Sequence, residues 1–310
     1  MYKFVSLVFF LALISVQPLA YAGTSLESDT LQSSEKMRII ASGGSITEII
    51  YALDKQQFIV ATDSTSLFPA AAASLPKLGY FRQLSTEGIL GFQPTHLLGA
   101  QATGPESLPG QLTAAGIQVQ IFDEQRNVAG LHQLISEIGQ LLNASEKALA
   151  LNQQITQQVV QLKARASKRH LANDSRTLAG GHDKITALFV MSDSDRGLTV
   201  AGGNTVPQAL FDDAGVINAA HALIDYKVMD NESILAANPD VIFVASHRAR
   251  EANALQRLCQ HPALKATNAG RNCAISAMES SSALGLSPRY PQALQTVIAR
   301  TAMFYADQSQ

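Results

Sequence analysis

The chain has no tryptophan, only two cysteines and few charges. Asp, Glu, Lys and Arg make up 15% of its 310 residues, against roughly 25% in ordinary globular domains. Its 23 basic and 25 acidic side chains nearly cancel, and the basic ones gather into no patch. A nucleic acid, which demands a basic face, is therefore not the expected partner. Two cysteines are too few for a disulfide-framework fold. The seven histidines include no H-x-x-x-H pair, which argues against a zinc site. Beyond residue 22 there is no run of about 18 apolar residues, the length a spanning helix needs.

What is present begins with a leader. Lys3 supplies a positive start, Phe4 to Val16 is apolar and free of acid, and Ala20-Tyr21-Ala22 offers an A-x-A site before Gly23. The pattern predicts a cleaved secretory signal peptide over residues 1–22, its apolar run too short for an anchor. No cysteine follows the cleavage point, which argues against a lipid-anchored product. The remaining 288 residues carry 22 basic and 25 acidic side chains, a net charge of −3, and suit about two domains. Residues 23–36 are polar and Ser/Glu-rich, which predicts a disordered linker. In an oxidising compartment Cys259 and Cys273, flanking a helix-to-strand connection, can pair; the alternative is two buried thiols.

From Met37 the pattern turns regular. Arg38-Ile39-Ile40-Ala41 predicts a strand, Ser42-Gly43-Gly44-Ser45 a turn, and Ile46 to Leu53 a helix that Ser45 or Thr47 is placed to cap. Ile59–Thr62, His96–Ala100 and Val119–Phe122 read as strands, Leu108–Ala115 and Val128–Leu142 as helices. Such a βαβα succession predicts a mostly parallel sheet covered by helices over residues 37–142. Residues 143–170 form the expected connection. Ala144 to Arg169 holds no glycine or proline and sets Leu149, Ile155, Val159, Val160 and Leu162 among polar residues. That is a helix of about 25 residues, roughly 37 Å long. Residues 171–310 restart the pattern: strand Ile185–Met191, turn Ser192–Gly197, strand Leu198–Ala201, helix Thr205–Ala214, strands Val241–Ala245 and Cys273–Ala277, and closing helix Pro291–Tyr305. The fold class expected is α/β, with two α/β lobes of mostly parallel sheets joined by one long helix and a ligand cleft between them.

The halves echo each other. Glu87-Gly88-Ile89-Leu90-Gly91-Phe92-Gln93-Pro94 precedes one apolar strand, and Glu232-Ser233-Ile234-Leu235-Ala236-Ala237-Asn238-Pro239 precedes another, 145 residues later. Both read E-x-I-L-x-x-x-P. Either the lobes are repeats, or both are ordinary helix-to-strand connections.

The stretch Pro76–Leu90, PKLGYFRQLSTEGIL, holds the sharpest candidates. In open α/β sheets ligands bind beyond the carboxyl ends of strands; here the loops at Ser42–Ser45, Asp63–Phe68 and Gly79–Gln83 stand there. Gly79 frees the backbone so that the Tyr80 ring can project. A phenolate oxygen is hard and anionic and suits ferric iron, and tyrosine is among the axial ligands by which proteins hold haem. A free phenol ionises near pH 10, so it needs a metal or a cation to do so near neutrality. In an extended loop Arg82, two residues on, faces the same way and is placed to be that cation. The same residues equally describe a half-buried loop aromatic beside a surface charge.

The blocks ASGGSITEIIYAL, TDSTSLFP, LPKLGYFRQLSTEGILGFQPTHLL and TVAGGNTVPQALFDDAGVINAA, and more weakly LGLSPRYPQAL, resemble the periplasmic haem-binding proteins of bacterial haem ABC importers. The resemblance covers nearly the whole chain after the leader, and G-Y-x-R-x-L-S-x-E-G-I-L is its most specific part. It implies a non-enzymatic, monomeric solute-binding protein of the periplasm that carries haem to an inner-membrane ABC permease, on a fold in which one rigid helix joins two lobes. It implies Tyr80 as the iron ligand and Arg82 as its tuning partner. It also implies Glu87 and Glu232 as paired carboxylates that meet arginines on the permease; the helix dipole favours an acid at either position in any case. Some relatives of this kind present a histidine from the loop after the first strand of the second lobe. Residues 191–197 here hold none, which leaves His247, after Val241–Ala245, as the candidate second ligand. Ser64, Thr65, Arg196 and Arg248 are candidate propionate contacts, and Leu67, Phe68 and Phe81 candidate apolar walls.

Other readings compete. The same scaffold carries other iron chelates or cobalamin. A secreted α/β hydrolase would need a G-x-S-x-G elbow, and Ser45 in GGS has no histidine and acid in the usual order. Gly43-Gly44 alone, without a following lysine, is a weak phosphate cradle.

Overall fold

The computed structural model describes residues 37–123, 125–173, 184–194, 197–248 and 253–307. The expected leader and linker lie outside them. The first sheet holds β1 (Ile39–Ser42), β2 (Ile59–Thr62), β3 (His96–Gly99) and β4 (Gln118–Ile121) in the order β2-β1-β3-β4, every pair parallel. Its helices are α1 (Gly44–Ala52), α2 (Ala70–Ala73), α3 (Thr86–Leu90), α4 (Leu108–Ala114) and α5 (Val128–Leu141). β1 is buried at all four positions because both its faces are covered, whereas β4 at the sheet edge alternates exposed and half-buried residues. Side chains alternate between faces: Ile39, Ala41 and Leu98 join the core under α1 and α5, while Ile40 and Leu97 join Leu84, Ile89, Leu108 and Leu112 under α3 and α4.

One long helix, α6 (Ser145–Asn173), follows. Its 29 residues span about 43 Å at 1.5 Å per residue. Ala148, Ile155, Val159 and Ala166 are buried along one stripe, and Leu149 and Val160 on the far side stay exposed. The stripe packs against α5 on one side and, in the second lobe, against α7 (Val206–Ala214) and α12 (Tyr290–Asp307). Tyr290 donates from its hydroxyl to Asp213 Oδ2 at 2.9 Å, and Lys163 of α6 pairs with the same Asp213. A single apolar core therefore runs from the first sheet through the helix to the second.

The second sheet is mixed. Its strands are β5 (Thr186–Ser194), β6 (Gly197–Ala201), β7 (Ile217–Asn218), β8 (Tyr226–Met229), β9 (Val241–Ala245) and β10 (Ile275–Met278), in the order β10-β9-β5-β6-β8 with β7 against β5. β5, β9, β10 and β7 run parallel, but β5–β6 and β6–β8 are antiparallel. The expected turn at Ser192–Gly197 is thus largely strand: β5 continues to Ser194 and pairs back with β6. The remaining helices are α8 (Asn231–Ala237), α9 (Ala254–Cys259), α10 (Asn268–Arg271) and α11 (Ser280–Leu284). Cys259, at the end of α9, and Cys273, before β10, form a disulfide with a Cα–Cα distance of 5.3 Å.

Candidate ligand site

The site is built at the carboxyl ends of the strands. Beyond Thr62 the chain pairs with Pro76–Gly79 as a short parallel extension of β2: Thr62 N donates to Pro76 O, Leu78 N to Thr62 O and Ser64 N to Gly79 O, at 2.7–2.9 Å. Gly79 then turns at φ 93° with open space where a side chain would stand. Only the backbone conformation requires glycine here.

Tyr80 follows at the mouth of this turn and is 45% exposed. The expected extended backbone is replaced by a 3-10 turn over Phe81–Gln83, closed by Gln83 N donating to Tyr80 O and pinned by Gly104 N donating to Phe81 O. Tyr80 and Arg82 nevertheless meet, through Phe81. The Tyr80 ring stands edge-on to the Phe81 ring with centroids 4.8 Å apart, and the Arg82 guanidinium lies 5.4 Å from the Phe81 centroid.

Asp63, at the end of β2, locks the neighbouring loops together and has no counterpart among the expected site residues. It is buried and accepts from Gly43 N (2.9 Å), Ser66 Oγ (2.6 Å), Thr65 N (2.8 Å) and Thr65 Oγ1. This explains two departures from expectation. Helix α1 begins at Gly44 with Gly43 as its cap, at φ 101° and without a side-chain cap bond, because Gly43 N is turned to Asp63. Thr47, an expected cap, instead bonds Ser66 Oγ at 2.8 Å. The Thr65 proton is committed to Asp63, while Ser64 is exposed. Lys77 donates to Thr62 Oγ1, Ser66 O and Ala72 O; burial lowers its ammonium pKa, and the Asp63 charge opposes the shift.

The second lobe approaches through α11 and the turn before α12. Arg289 donates to both Glu48 carboxylate oxygens, pairs with Glu279 at 3.0 Å and lays its guanidinium 4.0 Å from the Phe68 centroid. One face of Phe68 is therefore covered. Burial acts to raise the Glu279 carboxyl. Hydrogen bonds from Ser282 and Ser281 and the Arg289 charge outweigh it, and the group titrates below the usual carboxylate range. His247 sits exposed on a 3-10 turn after β9, its Nδ1 3.0 Å from Ser280 Oγ. Arg196 and the Arg248 side chain lie outside the described residues.

Tyr226 of β8 has a fully buried hydroxyl without a hydrogen-bond partner. Burial pushes its pKa up to about 12, against the opposing charges of Arg126 and Arg82 and with that of Asp225. Arg126 lies half-buried between β4 and α5.

Glu87 and Glu232 occupy matching positions. Each is exposed in the first turn of a short helix, capped by Ser85 accepting from Gly88 N and by Asp230 accepting from Ser233 N. Ile89 and Ile234 beneath them are fully buried, and Leu90 and Leu235 are exposed.

Two α/β lobes on one rigid helix, with polar and aromatic loops meeting at the carboxyl ends of both sheets, define a two-lobed solute-binding protein. The chain belongs to the periplasmic binding protein family, whose profile matches residues 39–281. Among solved structures it is similar to the periplasmic heme-binding protein RhuT from Roseiflexus sp. RS-1, at 29% identity and a TM-score of 0.78 over 87% of this chain and 99% of that one. The periplasmic heme-binding protein BhuT, solved with two hemes, matches at 29% and 0.77 over 86% and 98%. HutB of Vibrio cholerae, also a periplasmic heme-binding protein, matches at 31% and 0.73 over 85% and 98%. Among curated relatives, a vitamin B12-binding protein of Vibrio cholerae is 26% identical over 211 residues, 68% of this chain and 71% of that protein. An ABC transporter substrate-binding lipoprotein of Bacillus subtilis, YvrC, is 22% identical over 216 residues, 69% of this chain and 65% of its own length. The chain thus spans just under two thirds of YvrC.

Proposed function

We propose that this protein binds haem between its lobes in the periplasm and delivers it to an ABC permease of the inner membrane. The observation that carries the reading is the Tyr80–Phe81–Arg82 turn: an exposed phenol on a backbone anchored to the sheet, sharing an aromatic support with a guanidinium. Tyr80 supplies the oxygen ligand that suits ferric iron, and Arg82 shares its aromatic support. Leu67 and Phe68, both exposed, offer apolar surface to the macrocycle. Of the candidate propionate contacts, Ser64 is exposed and Thr65 holds its proton to Asp63, while Arg196 and Arg248 are candidates of this reading by sequence alone. His247 is its candidate for the second axial position, with its ring oriented by Ser280. Glu87 and Glu232 present one carboxylate from each lobe to the permease. The solved structures of highest similarity quoted above are heme-binding proteins, which supports haem over other ligands.

The test is a titration of purified apoprotein with ferric haem, followed by absorption spectroscopy. Stoichiometric binding with a high-spin ferric tyrosinate spectrum, lost in Tyr80→Ala, is the expected result. An unchanged spectrum in that variant removes Tyr80 from the iron. The curated vitamin B12-binding relatives favour a second reading, cobalamin; a parallel titration with cyanocobalamin separates the two.

A further inference from the structure

We propose that Asp63 is a positioning residue for Tyr80: its carboxylate shapes the loop that fixes the backbone on which the phenol stands. The proposal rests on the haem reading above, in which that phenol meets the iron. It starts from the exposure of Tyr80, 45%. An exposed ring gains little of its placement from packing, so its backbone must supply the rest. Yet the residue before it, Gly79 at φ 93°, has open space where a side chain would stand, and glycine holds one conformation less firmly than any other residue. The turn therefore depends on what anchors it from outside.

One anchor is Ser64 N, which donates to Gly79 O at 2.7 Å. Asp63 aims it. Asp63 Oδ2 accepts from Thr65 N at 2.8 Å and from Thr65 Oγ1, so the chain turns about Ser64. Asp63 Oδ1 accepts from Ser66 Oγ at 2.6 Å and, outside the loop, from Gly43 N at 2.9 Å. Ser66 Oγ also meets Thr47 Oγ1 at 2.8 Å, which ties the loop to α1. Lys77, two residues before Gly79, closes the same loop by donating to Ser66 O and Thr62 Oγ1.

The far side of the turn is held through the same corner. Gly43, whose N–H is pinned by Asp63, follows Ser42, whose hydroxyl meets Thr103 Oγ1 at 2.9 Å. Gly104, next in the chain, donates from N to Phe81 O at 3.0 Å and accepts at O from Leu84 N at 2.9 Å. A Cβ on Gly43 would stand 2.8 Å from Ala100 Cβ, so glycine is what lets β1 turn toward Asp63 there. Asp63 is 1% exposed, and four donors converge on its two oxygens. An amide has one accepting oxygen and a donating NH2. Whichever way that amide turned in Asp63→Asn, the backbone N–H of Thr65 or of Gly43 would face a donor, and a buried donor left unmet is unfavourable.

The experiment compares wild type, Asp63→Asn and Cys259→Ala with Cys273→Ala. The last removes the disulfide, which involves no residue of this network, and so reports what loss of stability alone does. Folded Asp63→Asn is expected to exchange the Ser64 amide faster in the apoprotein, to bind ferric haem roughly 10- to 100-fold more weakly, the range for losing a group that orients a metal ligand, and to show a shifted or lost tyrosinate spectrum. The disulfide variant is expected to keep wild-type affinity and spectrum. Should Asp63→Asn fail to fold, Ser66→Ala decides: it removes one of the four donors and is expected to weaken haem binding about 2- to 10-fold with a spectral change in the same direction. Wild-type affinity and spectrum in folded Asp63→Asn, slow exchange retained at its Ser64, or no effect of Ser66→Ala where that variant must decide, overturns the positioning role while leaving the haem reading standing. So does an equal spectral change in the disulfide variant. Wild type that binds no haem overturns the haem reading, and the proposal with it.

Discussion

Glu48 and Arg289 stand 241 positions apart and join the lobes by two hydrogen bonds, Arg289 Nε to Glu48 Oε2 at 2.9 Å and Nη2 to Oε1 at 2.6 Å. The Glu48 side chain is only 3% exposed and that of Arg289 18%. A charge so enclosed depends on its partner. Truncating one member of such a pair costs about 3–5 kcal/mol, while replacing both by apolar residues of similar size is often neutral. Arg289→Ala is therefore expected to destabilise the protein by about that amount, and Glu48→Leu with Arg289→Met to recover most of it. Urea unfolding of the three proteins measures this; equal stabilities would show that the contact does not hold the lobes.

The pair has a pH-dependent neighbour. The folded Glu279 carboxyl titrates below its unfolded value, so its contribution is fully present above the ordinary carboxylate range and is lost as pH falls through it. Because Glu279 is half exposed, the effect is modest. The melting temperature is expected to fall between about pH 5 and pH 3, and less steeply in Glu279→Gln than in wild type. Parallel melting curves for the two proteins would count against the assignment.

Phe81 supports both Tyr80 and Arg82, so its loss is expected to matter more than that of an ordinary loop aromatic. An aromatic pair is worth about 0.5–1.5 kcal/mol and an exposed cation–π contact about 0.5–1. Phe81→Ala is expected to weaken haem binding by roughly 5- to 60-fold while the iron keeps a tyrosinate spectrum. Loss of the tyrosinate band together with affinity would mean that Phe81 positions the ligand atom itself.

What could be read from the sequence was whatever repeats locally. The apolar runs Ile39–Ala41 and Val241–Ala245 are strands because both faces are buried, and α6 is continuous because nothing within it breaks a helix. Glu87 and Glu232 were legible because the E-x-I-L spacing is kept to the residue. The antiparallel β5–β6–β8 edge was not, since β6 and β8, of five and four residues, are too short to carry a distinctive period. Glu48 and Arg289 meet only through the folded chain, and no local pattern links them.

The disulfide ties the end of α9 to the start of β10 across 14 positions. Closing a loop of about 15 residues stabilises by roughly 3 kcal/mol through restriction of the unfolded chain. Cys259→Ala with Cys273→Ala is expected to lose about that much and to become insensitive to reductant, while wild type melts lower when reduced. Haem affinity is expected to stay near wild type, since neither cysteine is among the residues placed at the site.

Glu87 and Glu232 each sit where a carboxylate does little for its own lobe. The helix dipole favours an acid in the first turn by about 0.3–1 kcal/mol, and Ser85 and Asp230 already cap the two helices. Both carboxylates are exposed and neither forms an ion pair among the described residues. Conversion to alanine is thus expected to cost under about 1 kcal/mol per site and to leave haem affinity unchanged. If the two acids grip arginines on a permease, the double variant loses haem transport in reconstituted vesicles and each single variant loses part of it. The split between unaltered ligand binding and abolished transport identifies a docking surface. Full transport by Glu87→Ala with Glu232→Ala would assign the repeated glutamates to their helix termini alone.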